Sequence, residues 1–350
     1  MDRLKSIVLV VLATVLTVSF GLPVANVSAE GSAALGWSPR KDYMVQPGKT
    51  IEDTVVLSNR DRTKPLNLSL RVIDFTYRDD SGTPKLLLDK DEPETAWSLR
   101  PFLDIPENVT VDPGATKSVD ISITMPASYR AGSYYSAIVY SSASSDGGNV
   151  GLNASGVTLV FANLPGKVKE NLILEKVGTY DDEAKKYTYF NSSMPRQIAY
   201  TIRNDGNVVG NPSGSITLKN WFGHEVTIED MNPKKSLALI GQKDRTIQAC
   251  IKTAEEEQNF DGDRQTASTC STPGLWPGYY NVSLDGFYSF FGGNTTKELS
   301  GKTGFWYLPW WFVLAVVALL AFVGYHVWRV VRFFRGRKSG ASFKKRKTRR

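Results

Sequence analysis

The chain has 350 residues, with 42 Lys and Arg, 35 Asp and Glu, and only two His and two Cys. So few histidines leave a Ser-His-Asp site or a zinc centre almost without ligands. The formal charge of +7 would suit a nucleic-acid binder only if it sat on the folded part, and its distribution excludes that.

Met1 to Lys5 carries Arg3 and Lys5, an apolar run extends from Ile7 to Leu22, and Val27-Ser28-Ala29 supplies small residues before Glu30. This is the pattern of a secretory signal peptide over residues 1–29, and it sends the chain from Glu30 onward out of the cytoplasm.

Beyond the leader the pattern is one of strands. Leu66, Leu68, Leu70 and Val72 alternate with Asn67, Ser69 and Arg71, while Val119, Ile121, Ile123 and Met125 alternate with Asp120, Ser122 and Thr124. Ile198, Tyr200 and Ile202 repeat the period of two, that of a half-buried strand. Pro47-Gly48, Pro113-Gly114, Pro165-Gly166 and Pro277-Gly278 punctuate these runs with turns. The predicted fold is an all-β ectodomain of two tandem immunoglobulin-like β-sandwiches, followed by one transmembrane α-helix.

An internal repeat sets the domain count. Asn59 closes TVVLSN and Asn204 closes AYTIRN, and downstream AGSYY at 131–135 is echoed by PGYY at 277–280. Asn59 and Gly132 are 73 residues apart, Asn204 and Gly278 74, so one sandwich plan is expected twice. The small, polar run at 141–156 is the natural linker. It places the first sandwich at 30–145, the linker at 146–156 and the second sandwich at 157–304.

Cys250 and Cys270 both fall in the exported part, where disulfides form. A bridge there would pin the base of a polar surface excursion and stabilise by about 3 kcal/mol.

From Phe305 to Trp328 the chain is apolar, about 36 Å as a helix against a hydrocarbon core of about 30 Å. Trp306, Trp310 and Trp311 at one end and Trp328 at the other suit the two membrane interfaces, and Arg329, Arg332 and Arg335 mark a cytoplasmic flank. Thus 305–328 is the predicted membrane helix and 329–350 a basic cytoplasmic tail, whose closing KKRKTRR suits anionic lipid. Trp311 stands where a sortase site would need Thr, so the helix is expected to persist. With two basic residues in the leader and eleven from Arg329 onward, the exported part keeps 29 of the 42, against 34 of the 35 acids. It is mildly acidic, and no nucleic-acid partner is expected.

Catalytic signatures are missing. His326 lies inside the apolar run, His224 follows Phe222-Gly223 in a predicted turn, and no Walker loop, HExxH or CxxC occurs. Asp261 and Asp263 do not complete a calcium loop, and no metal or cofactor is expected. Sequons at Asn67, Asn108, Asn153, Asn191, Asn281 and Asn294 matter only in a eukaryotic secretory pathway. Trp97 and Trp221 could stack on sugar, while the more usual place of such residues is the core or rim of a sandwich.

Pro47-Gly48, Asn59, the Asp80-Ser81-Gly82 turn, Pro113-Gly114 leading into VDISITMP and AGSYYSAIVY carry a family resemblance in the first half. LPGKVKENLILEKV from Leu164, TIRNDGNVVGNPSGSITLKNWFG from Thr201 and FWYLPWW carry it in the second. Together with the leader, helix and tail, the chain resembles the WxL-interacting cell-surface proteins over nearly its whole length. The glycine-rich strand of their typical first domains stands here as AGSYYSAI. The resemblance implies a first domain associated with peptidoglycan and a second that binds a host or surface partner, such as a WxL-type protein. It brings no residue-level ligand-binding motif. The expected function is therefore a non-enzymatic, single-pass protein of the cell membrane, whose external domains attach to wall polymer or another surface protein. An assembly module that captures a strand through an exposed sheet edge, as pilus chaperones do, is the alternative. A carboxylate-based wall hydrolase is a third.

Overall fold

The computed structural model describes residues 35–88, 94–142, 155–241, 244–260, 263–290 and 296–338. The predicted leader at 1–29, most of the predicted linker, Asn153, Asp261, Asn294 and the tail beyond 338 lie outside the described residues, as does the side chain of Arg335.

The first half runs through β1 (Leu35–Trp37), β2 (Arg40–Met44), β3 (Thr50–Asn59), β4 (Leu66–Ile73), β5 (Phe75–Tyr77) and β6 (Pro84–Leu86). It continues with β7 (Leu103–Asp104), β8 (Asn108–Val111), β9 (Thr116–Thr124), β10 (Gly132–Ser142) and β11 (Ser155–Leu164). Two sheets result, in the orders β1-β3-β9-β7 and β2-β11-β10-β4-β8, with β5 and β6 as a separate hairpin.

The second half has β12 (Leu172–Asp181), β13 (Lys186–Thr188), β14 (Phe190–Asn191), β15 (Gln197–Asn204), β16 (Gly210–Asn220) and β17 (Glu225–Ile228). Then come β18 (Arg245–Cys250), β19 (Thr253–Phe260), β20 (Asp263–Cys270), β21 (Gly278–Phe290), β22 (Thr296–Tyr307) and the helix α1 (Trp310–Lys338). Its sheets are β13-β12-β15-β18 and β14-β22-β21-β16-β17, while β19 and β20 pair with each other. Each half thus has one four-stranded and one five-stranded sheet.

Alternation decides what these sheets bury. Val119, Ile121 and Ile123 of β9 meet Leu68 and Leu70 of β4 and Tyr140 of β10 in one core. Tyr200 and Ile202 of β15 meet Leu218, Val282 and Phe305 in a second. Removing each such side chain from water stabilises by about 1.5–3 kcal/mol. The hydroxyl of Tyr134 donates to the Arg130 carbonyl (2.8 Å) and that of Tyr280 to the Trp276 carbonyl (3.1 Å), four residues upstream in both cases. This is the geometry of a tyrosine corner.

Asn59 and Asn204 also do one job twice. Asn59 Nδ2 donates to the carbonyls of Lys64, Val111 and Asp112, and its Oδ1 accepts from Asp61 N–H. Asn204 Nδ2 donates to the Val208 and Ala238 carbonyls, and its Oδ1 accepts from Gly206 N–H. Both side chains are buried, so these bonds replace water for backbone groups where the strand turns away.

Two expectations change and one stands. The run at 141–156 does not separate the halves: Ser141 pairs with Ser155, and β11 pairs with β10 along its length. Its small polar residues mark a hairpin connection, and the sheets of the first half extend to Leu164. The polar excursion between Cys250 and Cys270 is a paired hairpin, Thr253 opposite Cys270, and the two cysteines are bonded with Cα atoms 5.1 Å apart. At the C-terminal end the helix starts at Trp310, not Phe305. Phe305 and Tyr307 are buried on the inner face of β22, and Phe305 stacks on Tyr280 at 5.2 Å, so the apolar run joins a strand end to a helix.

A third apolar cluster joins the halves. Ile73, Phe75, Tyr135, Val139 and Phe161 from the first meet Val209, Leu237 and Leu239 from the second. Hydrogen bonds ring it: Val209 N–H to Ser133 Oγ, Ser133 N–H to the Asn207 carbonyl, and Asn207 Nδ2 to the Ala131 carbonyl. Trp97 belongs here, stacked on Tyr135 at 6.1 Å, a packed residue of the junction, which agrees with a core or rim place and not with sugar stacking.

Candidate functional site

Corresponding strands of the two halves, β11 and β22, end differently, and the cause lies in the strand that opens each half. In the first half Ser38-Pro39 interrupts that strand between β1 and β2. Before it, β1 pairs with β3; after it, β2 crosses to the other sheet and runs parallel to β11, Arg40 to Met44 beside Leu159 to Asn163. Proline gives up its ladder hydrogen bond, which suits a crossing point. The neighbouring bonds complete the cover: Trp37 Nε1 to the Val157 carbonyl (2.9 Å), Thr158 Oγ1 to the Ser38 carbonyl (2.6 Å) and Leu159 N–H to the Pro39 carbonyl (2.9 Å). The outer edge of β11 is occupied by its own chain.

In the second half no proline interrupts β12. It stays on β15, Leu172 opposite Asn204 and Thr179 opposite Ile198. On the side away from β21, among the described residues only the two of β14 reach β22, pairing with Trp306 and Tyr307. No described strand pairs with that side of β22 from Thr296 to Phe305.

Which backbone groups face outward depends on the ladder. In an antiparallel pair a residue sends its N–H and C=O to the same side, and alternate residues face opposite sides. Trp306 N–H donates outward to the Tyr189 carbonyl (2.8 Å). Residues of the same parity, Glu298, Ser300, Lys302 and Gly304, therefore present their amides and carbonyls along an edge of about 20 Å. The side chains of Glu298, Ser300 and Lys302 are exposed, and Gly304 adds none. On the other face Gly301 sits under Leu174 of β12, where a Cβ would overlap, so β22 is seated closely on the sandwich. Lys297 Nζ donates to the Glu170 carbonyl (2.6 Å) and ties the top of the strand. An edge of this kind accepts one extended segment, while charges such as Glu298 and Lys302 oppose indiscriminate pairing.

Beside β12 lies an open groove lined by Lys176, Lys185 and Lys186, by Tyr180, Tyr187 and Tyr189, and by Asp80, Asp244 and Thr201. Tyr180 and Tyr187 meet edge to face at 5.3 Å. Burial pushes the Tyr187 phenol up to about 12, so it stays a neutral hydrogen-bonding group there.

The residues singled out from the sequence fall in separate places. Trp306 lies on β22, against Trp221 and Tyr279 at 5.2 Å each. Trp310 and Trp311 open α1; Trp328, Arg329 and Arg332 lie near its other end, with the Arg332 guanidinium 5.1 Å from the Trp328 ring. From Trp310 to Phe334 the helix is long and apolar enough to cross a membrane. His224 is a turn residue, as expected, stacked on Trp276 at 5.9 Å. The β22 edge was not legible: TKELSGKTGFWY reads as a polar, glycine-containing segment, and openness depends on where β12 and β14 go.

No family model matches the chain, and no characterised protein matches it in sequence. Among solved structures it is similar to the class 5 fimbriae chaperone CfaA, at 12% identity and a TM-score of 0.32, over 79% of this chain and 99% of that one. The E. coli chaperone DraB matches at 13% identity and 0.33, over 77% and 98%. CsuC–CsuE, a chaperone–tip adhesion subunit pre-assembly complex from Acinetobacter baumannii, matches at 9% and 0.33, over 77% and 98%. Superpositions at this level carry no functional weight.

Proposed function

We propose that the chain is a non-enzymatic membrane protein of the cell surface, in which two tandem immunoglobulin-like sandwiches, held outside by α1, bind an extended segment of another surface protein on the β22 edge. One observation carries this reading. Among the described residues, the strand that covers β11 in the first half has no equivalent over Thr296 to Phe305 in the second. Backbone pairing supplies the grip, and the solvent-facing side chains of Glu298, Ser300 and Lys302 supply selectivity. Two tyrosine corners, the matching order of the five-stranded sheets and the shared run β1-β3-β9 and β12-β15-β18 of the four-stranded ones support the tandem-domain reading.

Photo-crosslinkers placed singly at Glu298, Ser300 and Lys302 of the full chain in its own cells test the proposal. The expected adducts are with one protein, through one contiguous extended segment. Complexes in which Ser300, Lys302 and Gly304 amides exchange as fast as in the free chain would refute it.

Attachment to wall polymer, which the family resemblance implies, has support of its own in the groove beside β12. Its three tyrosines suit stacking on sugar, and its three lysines outnumber the two carboxylates, Asp80 and Asp244, that share the lining. Retention of the full chain on wall material, weakened by K176A/K185A/K186A, is the expected result; unchanged retention would count against that groove.

A further inference from the structure

The same end of the second half that feeds into α1 is crowded with uncovered aromatic side chains. Among the described residues before the helix nine large apolar side chains are exposed, and five of them, Tyr189, Phe190, Trp221, Phe222 and Trp276, gather there. They arrive from three segments. Tyr189 and Phe190 lie at β14, Trp221 and Phe222 form the turn between β16 and β17, and Trp276 stands just before β21.

Pairing registers put these segments at one level. Phe190 is opposite Trp306, Tyr279 is opposite Trp306, Gly278 is opposite Tyr307, and Asn220 is opposite Tyr280. Trp306 touches both Trp221 and Tyr279, so the aromatic group is continuous with the last residues of β22. Only Leu308 and Pro309 separate Tyr307 from Trp310, the first residue of α1. Three peptide steps span at most about 11 Å, and the headgroup layer on each side of a bilayer is itself about 5–7 Å deep. Once α1 is in a membrane, this end of the sandwich has nowhere to stand but against the lipid surface. Phe190 is 75% exposed, Phe222 73%, Trp221 64% and Trp276 58%, which is unfavourable in water and suits the headgroup level, where Trp and Tyr concentrate.

We propose that Phe190, Trp221, Phe222 and Trp276 form an aromatic foot that lies in the headgroup layer on the ectodomain side. The second half then rests on the bilayer instead of hanging from it. The proposal rests on the reading of α1 as the membrane anchor.

The full chain in lipid bilayers tests both. The described cysteines are all in the disulfide, so F222C, W276C, K297C and L320C each offer one free thiol for an environment-sensitive fluorophore. Nitroxides are placed on headgroups in one set of bilayers and at mid-chain in another. Labels at F222C and W276C are expected to shift to the blue and to lose emission to headgroup nitroxide. A label at L320C should lose emission to mid-chain nitroxide, and one at K297C to neither. Should F222C and W276C behave like K297C while L320C is quenched, the foot is refuted and the anchor stands. An unquenched L320C removes the anchor and the foot together.

Discussion

Asp80 holds Thr246 at two points: its carbonyl accepts the Thr246 N–H and its Oδ2 accepts the Thr246 hydroxyl, both at 2.8 Å. The first residue lies between β5 and β6, the second on β18, so the hairpin tip of one half is stitched to the edge strand of the other. Arg245, buried beside them, donates from Nη1 to the same Asp80 carbonyl (3.2 Å) and lies over the Tyr77 ring at 5.2 Å.

Gly82 makes that stitch possible. Its φ is +79°, and a Cβ there would overlap the Arg245 guanidinium. Gly82→Ala should cost about 1–3 kcal/mol through backbone strain alone, and more through displacement of Arg245. Calorimetry should show one unfolding transition for the wild type and a broader or split one for the variant as the halves uncouple.

Removing Asn59 or Asn204 should injure the two halves equally. Each substitution to Ala leaves buried backbone groups without partners, at about 1–3 kcal/mol each. Urea unfolding of N59A and N204A should give midpoints lowered by similar amounts. A large inequality would mean that the two asparagines are not equivalent.

On β22, residue parity gives opposite outcomes for neighbouring prolines. Ser300 directs its N–H away from β21, so Ser300→Pro leaves the ladder whole and should abolish partner binding with little loss of stability. Leu299 directs its N–H into the ladder and is buried. Leu299→Pro should lower stability by at least about 1–3 kcal/mol from the orphaned carbonyl. Thermal unfolding and partner capture by the two variants check this.

Asp53 predicts an acid dependence. Its carboxylate accepts from Tyr43 Oη (2.6 Å) and Lys41 Nζ (2.9 Å), in that order of effect, and these bonds hold its pKa down to about 2. With the folded value below the unfolded one, ionised Asp53 stabilises fully above the ordinary carboxylate range and loses that contribution as pH falls towards 2. The side chain is 37% exposed, so the effect is modest. The stability gap between wild type and D53N should be widest near neutrality and shrink below pH ~4.

Strands with one wet face were legible in the sequence, because burial and period coincide: β4 and β9 lie where their alternation predicts. β15 also lies where its alternation predicts, but it is buried on both faces, Ala199 and Thr201 included. Asn59 and Asn204, followed by Gly132 and Gly278, also marked the repeat, since a turn and a strand entry impose residue types locally. What failed was connection. The 141–156 run is small and polar whether it links domains or closes a hairpin, and only the pairing of Ser141 with Ser155 distinguishes them. Phe305 to Tyr307 merged with α1 because hydropathy does not register a change from strand to helix. The β22 edge was hidden for a deeper reason: it is created by the path of β12, far away along the chain.

The strand that offers its edge is also the strand that leads into α1. β22 runs from Thr296 through Tyr307 and, after Leu308 and Pro309, into α1. In the proposed complex, tension on a segment seated along that edge would pass down a single backbone into the bilayer, parallel to the strands. Loaded in that direction the hydrogen bonds of the seated segment share the force in shear, instead of peeling one after another, and the first half bears none of the load.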